Sequence, residues 1–286
     1  MPGNSKMCRR YTGKIRERTL GGIEMITAKD ATIKYSEGGI AKTNMSISKM
    51  FVLAFMAGIF ISFAGSAATI AASTVENASL AKLLNALIFP AGLAMVVLNG
   101  SELFTGNNLM VISVLDKRIS FLSMLKNWIV VYIGNLVGSM FISWMFILGH
   151  EYSLFGNAVA ESVINTAVVK TNLSFEDAFV KAILCNILVC AAVMMAMMAD
   201  NAAGKIAALY FPIMVFVVCS FEHSVANMGY ISGGLFAKMK YGNFGMDVSG
   251  LTWYSFFIKN LFPVTLGNIV GGCLTGMMYW YTGKEK

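Results

Sequence analysis

Charge is scarce in this chain. Asp, Glu, Lys and Arg make up 13% of its 286 residues, and hydrophobic residues make up 57%. Soluble domains carry about 25% charged residues, so the deficit excludes a water-soluble globular fold and leaves a polytopic membrane protein. The four prolines are Pro2, Pro90, Pro212 and Pro263, and the two histidines are His150 and His223. Of the five cysteines, Cys185, Cys190, Cys219 and Cys273 sit in apolar segments, and with Cys8 they form no Cys-x-x-Cys. A disulfide framework and a metal site are thereby excluded, and no metal or cofactor is expected. No apolar run follows the first basic residues closely enough to form a signal peptide.

What charge there is lies unevenly. Ten of the 22 Lys and Arg fall within the first 49 residues, so the net charge of +7 describes a basic amino-terminal arm. Such an arm is retained in the cytoplasm under the positive-inside rule, and it does not read as a nucleic-acid surface. Residues 1–28 form this tail, and residues 29–45 mix apolar and basic side chains as an amphipathic interfacial helix would.

Uncharged runs long enough to span a bilayer follow, about 20 residues sufficing. Spans are expected over residues 50–75, 83–115, 119–149, 175–199, 206–237 and 251–281. Two of them are interrupted by polar residues, at 100–107 and at 222–227. Both interruptions read Glu-x-x-x-small-Asn: Glu102 to Gly106-Asn107, and Glu222 to Ala226-Asn227. Ionisable groups at bilayer depth cost roughly 2.5–3.5 kcal/mol and line polar paths. Irregular backbone at that depth survives only when buried in protein or lining water.

An internal repeat orders these pieces. Lys126-Asn127 precedes Gly134-Asn135-Leu136-Val137-Gly138, and Lys259-Asn260 precedes Gly267-Asn268-Ile269-Val270-Gly271 at the same spacing. The fold class is therefore all-α: a six-helix inverted repeat, three helices plus three, with interrupted second and fifth helices. Residues 46–149 and 174–283 form the two repeats, and residues 150–173 a polar external connection. The glycines of Gly-Asn-x-x-Gly serve close helix packing. Six spans put both termini on one face, which the basic arm, Lys117, Arg118 and Lys205 mark as cytoplasmic in an inner membrane; Lys170, Lys238 and Lys240 weaken that asymmetry.

The stretches Gly100-Ser101-Glu102-Leu103-Phe104-Thr105-Gly106-Asn107, Lys126-Asn127-Trp128, Asn186-Ile187-Leu188-Val189-Cys190 and Phe221-Glu222-His223-Ser224-Val225-Ala226-Asn227-Met228 together resemble the formate–nitrite transporter family over about residues 30–281. The chain looks most similar to the hydrosulfide-channel branch. The resemblance implies an aquaporin-like fold, a homopentamer with one pore per protomer, and passage of hydrosulfide, formate or nitrite. It also implies roles for particular residues. His223 matches the central histidine, with Thr105 and Asn186 beside it, and Lys170 matches a vestibule lysine. Phe89 and Phe216 match an outer slit; Leu93, Leu103, Phe104 and Val189 match an inner one.

Read physically, a bare anion crosses an apolar slit only at a large desolvation cost, whereas its protonated acid crosses cheaply. Two mechanisms stay open: proton exchange between the anion and His223, or a neutral His223 that only donates a hydrogen bond. Glu102 and Glu222, with Asn107 and Asn227, are expected to support the loops, the carboxylates accepting backbone amides freed by the helix breaks. A proton-coupled formate/nitrite carrier is the alternative. A neutral-solute channel of aquaporin type fits less well, since no proline supplies Asn-Pro-Ala at either break. An enzyme using Glu222 and His223 lacks a second histidine or metal-ligand cluster nearby.

Overall fold

The computed structural model describes residues 17–20 and 23–284; the remainder of the basic tail, Cys8 included, lies outside the described residues. A short antiparallel hairpin pairs β1 (Glu17–Leu20) with β2 (Ile23–Ile26) in the stretch whose sequence reads as tail. The regular elements after it are all helices. Helix α1 (Ala28–Asn44) starts on the Thr27 cap and buries Ala31, Thr32, Tyr35, Ser36 and Gly39, one stripe at helical spacing.

The first repeat continues with α2 (Ile47–Ala72), α3 (Ala78–Ile88) and α4 (Pro90–Leu98), Pro90 sitting where its missing amide costs no hydrogen bond. After a break, α5 (Phe104–Asn107), a single 3-10 turn and α6 (Val111–Leu115) run on without interruption, followed by α7 (Phe121–Leu148). The second repeat is α8 (Ala158–Thr171), α9 (Phe175–Met198), α10 (Ala202–Val218), α11 (Ser224–Tyr241) and α12 (Phe262–Gly283), the last preceded by a π-helical segment at Ser255–Leu261. Among the described residues five helical segments are long and apolar enough to cross a membrane, and the fifth crossing expected from sequence is divided between α10 and α11.

The pairs α2/α7 and α9/α12 are the tight seams. A Cβ on Gly138 of α7 would lie 2.1 Å from the Phe55 carbonyl oxygen, and one on Gly271 of α12 would lie 2.3 Å from that of Ile183. No side chain fits there, so the two Gly-Asn-x-x-Gly motifs set how closely the helix axes approach.

Three expectations are corrected. Residues 150–173, expected as a polar connection, carry a helix: α8 occupies most of them and buries Val159, Ala160, Val163, Ile164, Ala167 and Thr171. The breaks are shorter than the polar motifs suggest, because the half-helices resume at Phe104 and Ser224; Thr105, Gly106 and Asn107 are already helical. The fifth span, expected to end at 237, runs on to Tyr241, so Lys238 and Lys240 stand in the last turn of α11.

Candidate functional site

Each break is built the same way. Helix α4 ends at Asn99, Gly100 takes φ 63°, and the Ser101 amide bonds back to the Val96 carbonyl. Helix α10 ends at Cys219, Ser220 takes φ 54°, and the Phe221 amide bonds back to the Phe216 carbonyl. The chain then extends to Leu103 (φ −108°, ψ 123°) and His223 (φ −113°, ψ 116°), which stand as the N-caps of α5 and α11.

The carboxylates at the breaks do not accept backbone amides, contrary to expectation. Glu102 accepts from Lys42 Nζ at 2.6 Å and Asn107 Nδ2 at 2.6 Å. Glu222 accepts from Lys170 Nζ at 2.8 Å and Asn227 Nδ2 at 2.6 Å. The freed amides go elsewhere. Asn135 Oδ1 takes the Phe104 amide, and its Nδ2 reaches the carbonyls of Ala54 and Glu102. Asn268 does the same for the Ser224 amide and for the carbonyls of Ala182 and Glu222. Asn127 and Asn260 complete the two clamps by accepting from Asn107 and Asn227. Buried polar groups need such partners, because an unmade bond costs the full desolvation of the group.

Lys42, Asn127, Asn135, Asn260 and Asn268 were absent from the sequence-based site. A signal for Lys42 was present. Lys42-Thr43-Asn44-Met45-Ser46 and Lys170-Thr171-Asn172-Leu173-Ser174 are the same pentapeptide but for Met and Leu. Each ends on the serine that caps the next helix, Ser46 for α2 and Ser174 for α9. Helix α8 therefore stands to the second repeat as α1 stands to the first.

A cavity of about 360 Å³ lies between α2, α3, α8, α10 and α11. Lys82 and Ser220 on its wall are exposed, whereas Phe89, Phe216 and His223 are buried, so it leads from the surface into the bundle. Phe89 and Phe216 meet edge to face at 5.6 Å. The Phe216 ring stacks on the His223 imidazole, 6.0 Å between centroids and 13° between planes. His223 Nε2 lies 2.8 Å from Thr105 Oγ1, joining the two breaks.

The imidazole's other nitrogen is occupied. The Ala226 backbone N–H donates to His223 Nδ1 at 3.0 Å, closing the cap of α11. Nδ1 is thus an acceptor, and the network assigns the proton to Nε2, facing Thr105. Asn186 is committed to the frame: its Nδ2 lies within reach of Thr105 O, Asn108 Oδ1 and Asn268 O, and its buried Oδ1 has no bonded partner among the described residues. Leu93, Leu103, Phe104 and Val189 are all buried; the Phe104 ring packs on Tyr132 and Trp128 at 4.9 and 6.1 Å. Among the described residues no cluster of His, Cys, Asp or Glu is arranged to hold a metal ion.

The family model described as formate/nitrite transporter matches residues 29–281, nearly the whole described chain. The chain belongs to the formate/nitrite transporter family. Among its relatives in that family is a protein described as a probable formate transporter of Methanothermobacter thermautotrophicus, 38% identical over 84% of this chain and 91% of the relative. The formate channel FocA of Escherichia coli K12 is 36% identical over 85% of this chain and 90% of its own length. Solved structures agree in fold. A pentameric formate channel with formate bound superposes with a TM-score of 0.75 at 34% identity, covering 82% of this chain and 97% of that one. An FNT family ion channel superposes at 0.78 with 28% identity, covering 88% and 98%. Members of this formate/nitrite transporter family are channels and transporters and not enzymes, so the buried Glu222 and His223 have no catalytic assignment.

Proposed function

We propose that each protomer is a channel for small monovalent anions or their conjugate acids, in the class of formate, nitrite and hydrosulfide, and that the protein assembles as a homopentamer with both termini cytoplasmic. The observation that carries this reading is the route from the cavity, past the Phe89–Phe216 pair, to the buried His223–Thr105 contact. The relatives that conduct formate support the substrate class. The end of α12 lies beside α1, Trp280 and Ser36 sharing the Asp116 carboxylate, which suits termini on one face.

His223 acts as a neutral hydrogen-bond donor in this reading. A second proton would have to sit on Nδ1, where the Ala226 N–H already points, and would break the α11 cap. The imidazole Nε2–H donates to Thr105 Oγ1, which orients the threonine hydroxyl's own proton toward a passing oxygen or sulfur. Phe89 and Phe216 strip water, so the permeant crosses as the neutral acid and takes its proton from solvent on the approach. Leu93, Leu103, Phe104 and Val189 form the second apolar constriction beyond the histidine. Asn186 holds the Thr105 carbonyl in place.

Uptake of formate, nitrite and hydrosulfide into proteoliposomes, measured side by side against protein-free vesicles, tests the assignment. Protein-dependent flux of at least one is expected, and its rank order names the substrate. Flux of all three at the protein-free leak would refute the channel.

A further inference from the structure

The cavity that leads to Phe89 is lined by three charged side chains, Lys82, Lys170 and Glu222. Lys170 is not free to attract an anion. Its ammonium sits 2.8 Å from Glu222 Oε1, with 15% of its side chain exposed, and the carboxylate cancels its charge where a solute would sense it. Lys82 is placed differently. It is exposed on α3, and among the described residues its bonded partner is a hydroxyl, Ser220 Oγ at 2.8 Å, and not a carboxylate. Among the described residues, the one unbalanced positive charge on the cavity wall therefore belongs to Lys82.

The position of Lys82 also fits a route. Lys82, Asn85 and Phe89 follow one another at spacings of three and four residues, and all three line the cavity. That spacing puts a cation, an amide and the aromatic constriction on one face of the helix in descending order. Asn85 Nδ2 donates one proton to the Ala81 carbonyl, which leaves its second for a solute. Asn165 and Thr166 line the facing wall on α8.

We propose that Lys82, held by Ser220, is the anion-capturing group of this channel, and that Lys82 and Asn85 form a docking site for a small monovalent anion, a carboxylate or its equivalent, above the Phe89–Phe216 constriction. Lys170 is then a positioning residue that keeps Glu222 and the helix break in place. This assignment rests on the channel reading above.

The test is concentration-dependent formate uptake by the full chain in proteoliposomes at two ionic strengths. Lys82→Gln is expected to raise the half-saturating concentration roughly three- to tenfold while leaving the rate at saturation unchanged, and to flatten the dependence on salt. Lys82→Arg should restore wild-type behaviour. Ser220→Asp supplies a second variant that leaves Lys82 untouched. Ser220 already has φ 54°, a conformation aspartate tolerates, and its carboxylate would neutralise Lys82 in place. The same loss of affinity is expected. Unchanged half-saturation and unchanged salt dependence in either folded variant would overturn the proposal. A wild-type protein without protein-dependent flux would instead refute the channel assignment itself.

Discussion

Leu103 and His223 occupy the same backbone position in the two repeats, within 7° of each other in both φ and ψ, and each stands at the N-cap position of the half-helix that follows. The fold thus supplies one slot twice and fills it with different chemistry. In the first repeat the slot holds an apolar side chain. In the second it holds an imidazole whose Nδ1 does the capping and whose Nε2 meets Thr105.

Replacing His223 separates its two functions. His223→Leu repeats what the other slot carries and loses the cap, at a cost of about 1 kcal/mol; it should remain folded and lose flux. His223→Asn keeps a capping acceptor and a donor, and should retain pH-driven uptake with a modest change in rate. Loss of proton-coupled uptake in folded His223→Asn protein, with residual current following voltage alone, would return the histidine to a proton relay.

Lys170 and Glu222 are tested by stability. Lys170→Gln leaves a buried carboxylate without its partner, which costs about 3–5 kcal/mol when such pairs are broken. The double variant Lys170→Gln/Glu222→Gln should recover most of that loss in thermal unfolding of the detergent-solubilised protein. Lys42→Gln and its double with Glu102→Gln should behave alike. Equal melting of single and double variants would show that the pair does not hold the break.

The asparagine clamps and the helix seams give a third prediction. Asn135→Leu keeps volume but strands the Phe104 amide and two carbonyls, at about 1–3 kcal/mol for each group left without a partner; Asn268→Leu should be equally harmful. Gly138→Ala should be as damaging, because its Cβ meets the Phe55 carbonyl, whereas Gly38→Ala has nothing within 4 Å and should be silent. Wild-type melting of Gly138→Ala would contradict the close seam between α2 and α7.

Topology is checked by labelling. In a background without native cysteines, Lys117→Cys and Ala203→Cys should react from the cytoplasmic side and Glu151→Cys from the other. All three positions are exposed in the monomer. Reaction of Lys117→Cys and Glu151→Cys from the same face would refute the inverted arrangement.

Composition and periodicity by themselves determined the class, the apolar spans and the existence of two opposed breaks. Long uncharged runs have no stable place in water, and a glutamate beside an asparagine inside such a run has to be satisfied by something. The paired Gly-Asn-x-x-Gly motifs marked the repeat because close packing admits no side chain, a requirement that leaves its trace in one residue. The partners were another matter. Glu102 meets Lys42 sixty positions away, and Glu222 meets Lys170 fifty-two away. Such pairings depend on how α1 and α8 fold back onto the bundle, which no local spacing states. The duplicated Lys-Thr-Asn pentapeptide recorded the equivalence of those two helices but not what their lysines touch. The tautomer of His223, the commitment of Asn186 to the frame and the unbalanced charge of Lys82 were decided only by the tertiary structure. Each depends on which acceptor another segment brings within about 3 Å, and hydrogen bonds and ion pairs weaken steeply beyond that distance.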